Sequence, residues 1–395
     1  MTSRNWPGKF ALVCATSVLF AQAQEPAKKA APAVALADAA DAAQWQPLVK
    51  DIGWQLIFAP ADPDANVDKR VQALAIEVDK AVKAGDVDPA RVFAVGRGPA
   101  AATVFYAISR MPDRWTAGVA IGGSPKAAID SNRIFAVNFT NTPVLWASDG
   151  PNDEAVAQNL KQAGINLEWR SAKALSNRQL FDWMDAHLHA EHPLKVDCET
   201  NSPTFANCYW VQPTKFDAAE RNDVLPSTLV PGDTAASLDL GGFGYHANDA
   251  GPGVMVAFLP ERYKGPLKVG DRLAALNGKP IENARHLQVL LEKATSTSDA
   301  VVMVERGKDR IRVETRIVVP KREAVPTARV KAEYMAEDHQ VLLISRSIIE
   351  MKVTIPAEWV PANLVWNGLT IDKIQAAGCV ALKIEKELLH AGTCE

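Results

Sequence analysis

The sequence predicts a multidomain chain: a doubly wound parallel α/β sheet, then an α+β domain, then a small β-rich C-terminal module. Three observations predict it. From residue 54 to 192 short apolar runs alternate with amphipathic stretches, the pattern of parallel strands covered by helices. Glycine-punctuated strands take over from Leu238, and β-rich runs with prolines and tryptophans follow Pro320. At 395 residues the chain has room for two or three separate cores.

Arg4 and Lys9 flank the start of an apolar run at 10–20, and Ala21-Gln22-Ala23 follows it. That order predicts a secretory signal peptide over residues 1–23. The alternative is an N-terminal anchor, but the run is shorter than the ~20 residues a membrane helix needs, and no span is expected elsewhere. Cys14 lacks the preceding small residue that lipid attachment requires. Residues 24–45 are rich in alanine and carry Pro26 and Pro32, so a linker is expected, with too little apolar surface to order itself. The formal charge of −3 becomes −5 once Arg4 and Lys9 are removed, and no basic cluster suggests a nucleic-acid partner. The expected destination is the periplasm or the exterior.

Four cysteines remain beyond the signal, an even count that suggests disulfides in an oxidising compartment. Their spacings favour Cys198 with Cys208 and Cys379 with Cys394, although four cysteines admit other pairings.

The first domain, 46–192, reads as strands at 53–58, 92–95, 118–121, 143–146 and 166–170. Between them fall helices at 67–84, ending at Gly85, at 99–111, with Pro99 in the first turn, at 153–163 and at 178–187. The run Val87-Asp88-Pro89-Ala90-Arg91-Val92-Phe93-Ala94-Val95-Gly96 leads into a glycine turn. With Pro112-Asp113-Arg114-Trp115, Thr142-Pro143-Val144-Leu145-Trp146 and Leu180-Phe181-Asp182-Trp183-Met184, it resembles the α/β-hydrolase superfamily, in its secreted esterase and polyhydroxybutyrate-depolymerase-like branch.

The resemblance implies a strand running into a G-x-S-x-G turn that presents a nucleophilic serine. Here the turn reads Gly96-Arg97-Gly98-Pro99-Ala100, so Gly98 occupies the serine position. Asp153, in Gly150-Pro151-Asn152-Asp153, fits the acid of the triad, or else a helix cap. The base is expected at 171–177, where no histidine occurs. His187, His189 and His192 lie beyond the last helix without the i, i+4 spacing of a helical metal pair, and read as a solvated helix end. Almost no chain is expected to be available for an early strand and its oxyanion loop before Trp54. A degenerate active site follows, without the groups that supply most of the rate enhancement. Ser124, in Gly122-Gly123-Ser124-Pro125, is the weak alternative nucleophile.

In 226–322, Gly242-Phe243-Gly244-Tyr245 precedes a strand at 253–256. Leu267-Lys268-Val269-Gly270-Asp271-Arg272-Leu273 and Leu276-Asn277-Gly278-Lys279-Pro280-Ile281 follow, then a helix at 284–294 and strands at 300–305 and 311–317. These segments resemble PDZ domains. The resemblance implies a peptide or protein partner added as an extra strand at a sheet edge, with a terminal carboxylate held by backbone N–H groups of the Gly242–Gly244 loop. Phe243, Tyr245 and Leu290 would line the side-chain pocket, and His286 is a candidate ligand contact. The plainer alternative makes the glycines a tight turn, Phe243 and Leu290 core, and His286 surface.

The connector, 193–225, carries the first cysteine pair and is expected to extend the first domain's surface. The last module, 323–395, has β-rich runs at 328–334, 340–345, 349–355 and 379–384, with Trp359 and Trp366 expected in its core. No cofactor and no metal site are expected. The functional expectation is an exported noncatalytic peptide-binding protein, a pseudoenzyme; the alternative is a serine esterase or peptidase with relocated catalytic residues.

Overall fold

The computed structural model describes residues 29–232, 236–246, 249–294, 296–319 and 326–394. The expected signal peptide lies outside the described residues. Among those described, no helix is long and apolar enough to cross a membrane.

The first unit is a six-stranded, wholly parallel sheet. Its elements are β1 (Ala31–Leu36), α1 (Ala42–Asp51), β2 (Gln55–Phe58), α2 (Val67–Lys83), β3 (Val87–Arg97) and α3 (Ala101–Arg110). They continue with β4 (Ala117–Ile121), α4 (Lys126–Asp130), β5 (Val144–Ala147), α5 (Asp153–Gln162), β6 (Leu167–Arg170) and α6 (Asn177–Asp185). Strand neighbours alternate between two cores, because successive side chains point to opposite faces. Ala33, Ala35, Val92 and Ala94 face α2, α3 and α5, while Val34, Leu36, Phe93 and Val95 face α1 and α6. The helix α2 buries Val71, Leu74, Ala75 and Val78 along one stripe and is capped by Asn66, whose side chain accepts from Lys69 N–H. A capping box between Ser176 and Gln179 starts α6. This architecture fits the expected doubly wound α/β fold.

The expectation of a linker at 24–45 is corrected. Ala33, Val34, Ala35 and Leu36 are buried in β1, which lies inside the sheet between β2 and β3. A polyalanine-like run has little apolar area of its own, yet helices on both faces and strands on both edges supply the burial it lacks. The same strand corrects the expectation that no chain was available before Trp54.

The connector is also corrected: it belongs to a β-sandwich with the last module. Strands β7 (Lys195–Thr200) and β8 (Val211–Phe216) come first in the chain. The inserted unit follows, with β9 (Ser237–Leu238), β10 (Gly244–Tyr245), β11 (Val254–Phe258), β12 (Arg272–Leu276), β13 (Lys279–Pro280), α7 (Ala284–Glu292), β14 (Ser298–Arg306) and β15 (Asp309–Val318). Then come β16 (Ala328–Met335), β17 (Gln340–Arg346), β18 (Ile348–Ile355), β19 (Ala362–Trp366), β20 (Leu369–Ile374), β21 (Gly378–Glu385) and β22 (Leu388–Thr393). One sheet runs β20-β19-β17-β16-β7 and the other β22-β21-β18-β8, so each sheet takes one edge strand from the connector. Both sheets share one core, which includes Cys208, Trp210, Val330, Leu343, Trp359 and Trp366. The inserted unit has its own core and the sheet order β10-β11-β12-β14-β15-β9.

Disulfides join Cys198 to Cys208 and Cys379 to Cys394, with Cα–Cα distances of 5.9 and 5.7 Å. Such bonds persist in oxidising compartments. The first unit docks on β7 through Asn138, whose amide donates to the Glu199 carbonyl at 2.9 Å and accepts from Glu199 N–H at 2.8 Å. Arg110 lies over the Phe205 ring, 4.1 Å from its centroid, and donates to Asn201.

Candidate functional site

In a parallel sheet the chain changes winding direction where neighbouring strands lead to opposite sides, and a crevice opens outside the carboxyl ends at that point. Here the switch lies between β1 and β3. A cleft of about 460 Å³ occupies it, with Ala37 and Asp38 after β1, Pro60 and Asp62 after β2, and Pro99 and Ala100 after β3. Lys69 and Arg70 of α2 also line the cleft.

The turn after β3, where the resemblance implies a nucleophile, is a tight bend. Gly98 has φ +50°, and a Cβ built on it meets nothing within 4 Å. Its carbonyl is approached so closely by Gly123 that a Cβ on Gly123 would collide with it, so the bend is locked between the β3 and β4 turns. A side chain at Gly98 would therefore have space, and the position carries none.

The remaining candidates form no relay toward this bend. Asp153 opens α5 and accepts from Gly150 N–H at 2.9 Å, so its carboxylate closes its own turn. Ser124 is exposed and accepts from Lys126 N–H at 3.2 Å, starting the short α4. One acid was missed in the sequence: Asp149, after β5, accepts from the Ser171 hydroxyl at 2.5 Å and from Lys173 N–H at 3.1 Å. This bridge joins the loops after β5 and β6; its signal was Ser148-Asp149-Gly150 directly following the strand.

The histidines are not a solvated helix end, which corrects that expectation. His187 Nδ1 lies 2.7 Å from the Trp183 carbonyl, His189 stacks on Tyr209 with centroids 5.4 Å apart, and His192 meets Trp359 edge-on. Each is half-buried against a neighbouring ring, His187 on Trp183 of α6, His189 on Tyr209 of the connector and His192 on Trp359 of the last module. Burial holds the His189 pKa below its ordinary value.

In the inserted unit, β10 is the terminal strand of its sheet and, among the described residues, pairs with β11. Phe243 and Tyr245 are half-buried, 6.0 Å apart, and pack with Leu290 against the unit's core. Gly242 and Gly244 flank Phe243, and a Cβ on Gly244 would lie 3.3 Å from Phe258. His286 Nδ1 accepts from Glu282 N–H at 3.2 Å, and its own N–H is capped by Asn283 at 2.9 Å. Asp271, in the Gly270-Asp271 turn, is gripped by Arg306 at 2.8 and 2.7 Å and by Lys268 N–H. That turn is a structural joint. The Arg306 contact is the largest influence holding the Asp271 carboxyl below its ordinary pKa.

No protein-family model and no curated protein matches the chain. Solved structures resemble its first part. The structure of esterase PE8 is 16% identical, spanning 40% of this chain and 91% of that one, with a TM-score of 0.29. SOBER1 of Arabidopsis thaliana is 16% identical over 39% of this chain and 96% of its own, with a TM-score of 0.30. Thermogutta terrifontis esterase 2, phosphorylated by paraoxon, is 13% identical over 42% and 83%, with a TM-score of 0.29. Likeness of this degree assigns no activity to the chain.

Proposed function

We propose that this is an exported, noncatalytic peptide-binding protein whose PDZ-like inserted unit captures an extended segment, while its hydrolase-like unit is a pseudoenzyme. The observation that carries the reading is the terminal place of β10, whose outer side no strand covers among the described residues. A terminal strand presents unpaired backbone groups, and a peptide strand beside them gains main-chain hydrogen bonds. The half-buried Phe243, Tyr245 and Leu290 offer alternate side chains an apolar seat. The bend at Gly98 supports the noncatalytic half, since glycine has no group that can attack a carbonyl.

An array of peptides with free carboxyl ends, probed with the purified chain, tests this reading. Selective binding is expected, with Phe243→Asp and Leu290→Asp each abolishing it. Binding that survives both substitutions, or no selective binding, would overturn the assignment.

A further inference from the structure

The pairing of β10 with β11 is irregular. Gly244 lies opposite Phe258 and Tyr245 opposite Val256, so Ala257 of β11 is an extra residue with no partner in the ladder. Side chains alternate along a strand, which would send Phe258 to the face of Val254 and Val256, both buried in the unit's core. The bulge breaks that alternation, and Phe258 is 63% exposed instead. Bulges re-aim side chains, and the one re-aimed here is the largest on the strand.

The ring is seated on Gly244. Gly242 has φ +71°, where glycine is favoured, whereas Gly244 lies outside that region, so its backbone makes no demand for glycine. A Cβ on Gly244 would lie 3.3 Å from Phe258 Cβ, 3.6 Å from Cδ1 and 3.9 Å from Cγ. One edge of the ring therefore lies against the place that a β10 side chain would fill, an aromatic covering an edge glycine. Tyr245, the next residue, packs against the core, so Gly244 presents the other face of the strand.

We propose that, given the reading of β10 as a peptide-binding edge, Phe258 selects the ligand: an extended segment with two consecutive apolar residues, one seated on Phe243, Tyr245 and Leu290 and its neighbour an aromatic lying over Gly244 against Phe258. Directly opposite residues of paired strands project to the same face. The ligand residue opposite Gly244 thus projects to the side on which Phe258 lies, and Gly244 puts no side chain between them.

Positional scanning of array-selected peptides against the full chain, with affinities read by fluorescence anisotropy, tests it. At one position Phe, Tyr or Trp should bind about three- to ten-fold tighter than Ser, the worth of one aromatic pair. Phe258→Ser should erase that preference while the apolar preference at an adjacent position stays, and Phe258→Trp should keep both. Selective binding without such an aromatic position, an aromatic preference that survives Phe258→Ser, or loss of all binding in Phe258→Ser would each overturn this proposal and leave the peptide-binding reading standing. No selective binding by the parent chain would overturn both.

Discussion

Glu199 and Arg346 form an ion pair at 3.0 Å, with the Glu199 side chain fully buried in the β-sandwich. The same carboxylate accepts from Thr228 N–H at 2.7 Å and its hydroxyl at 2.8 Å, and from the Thr327 hydroxyl. Thr228 leads into the inserted unit and Thr327 leads out of it. One carboxylate thus ties together both ends of the insertion, and Arg329 and Arg346 reinforce the tie by donating to the Pro226 and Leu225 carbonyls.

Breaking this joint should be expensive. Glu199→Ala leaves the half-buried Arg346 without its counter-charge and three hydrogen-bond donors without their acceptor, and removing one partner of a buried pair costs up to about 3–5 kcal/mol. The urea midpoint, followed by tryptophan fluorescence, should fall sharply. A midpoint within error of the parent would show that the pair contributes nothing to the fold.

The two disulfides should contribute unequally. Closing loops of this size stabilises by about 3 kcal/mol, but Cys208 is fully buried whereas Cys379 lies on the exposed β21–β22 hairpin. Alanine at Cys198 and Cys208 opens a cavity as well as a crosslink, so that pair should lower the thermal midpoint more than alanine at Cys379 and Cys394. Equal losses would contradict the burial argument.

Restoring a hydroxyl should not restore chemistry. Gly98→Ser has space for its side chain but must hold a positive φ, at a cost of about 1–2 kcal/mol. The segment 171–177, where the base is expected, holds no histidine, and its Ser171 is bound to Asp149. The variant should remain unlabelled by a fluorophosphonate and inactive on p-nitrophenyl acetate; rapid labelling would show that a base exists elsewhere.

Asp113 should make stability depend on pH in a definite direction. Its carboxyl pKa is raised on folding, chiefly by burial, with Arg114 pulling the other way. Folding therefore favours the protonated form, and this contribution is present below the unfolded pKa of about 3.9 and is lost as pH rises through the folded value. Asp113→Asn cannot ionise, so urea midpoints measured from acid to neutral pH should show the variant gaining on the parent as pH rises. A gap between the two that stays constant with pH would refute this.

Much of the fold was written in local pattern. The stripe Val71, Leu74, Val78 announced α2, the continuously buried Val144–Ala147 announced β5, and the spacing of the cysteines announced both disulfides. The glycine at the bend after β3 was visible as well, because a missing side chain is a fact of sequence. What escaped were relationships between distant residues. Asp149 meets Ser171 across two loops, and Asp113 accepts from the Asn207 amide of the connector while Arg114 beside it donates to Asp79.

The sequence by itself determined which segments could become helices and strands, that the bend after β3 carries glycine, and which cysteines were near enough to pair. The tertiary structure decided that the alanine run at Ala31–Leu36 is a buried strand and that β7 and β8 complete sheets with β16 and β18 across the whole inserted unit. It also decided which polar groups are enclosed. The reason is that periodicity records the faces of one element, whereas the burial of a weakly apolar strand depends on partners brought from far along the chain.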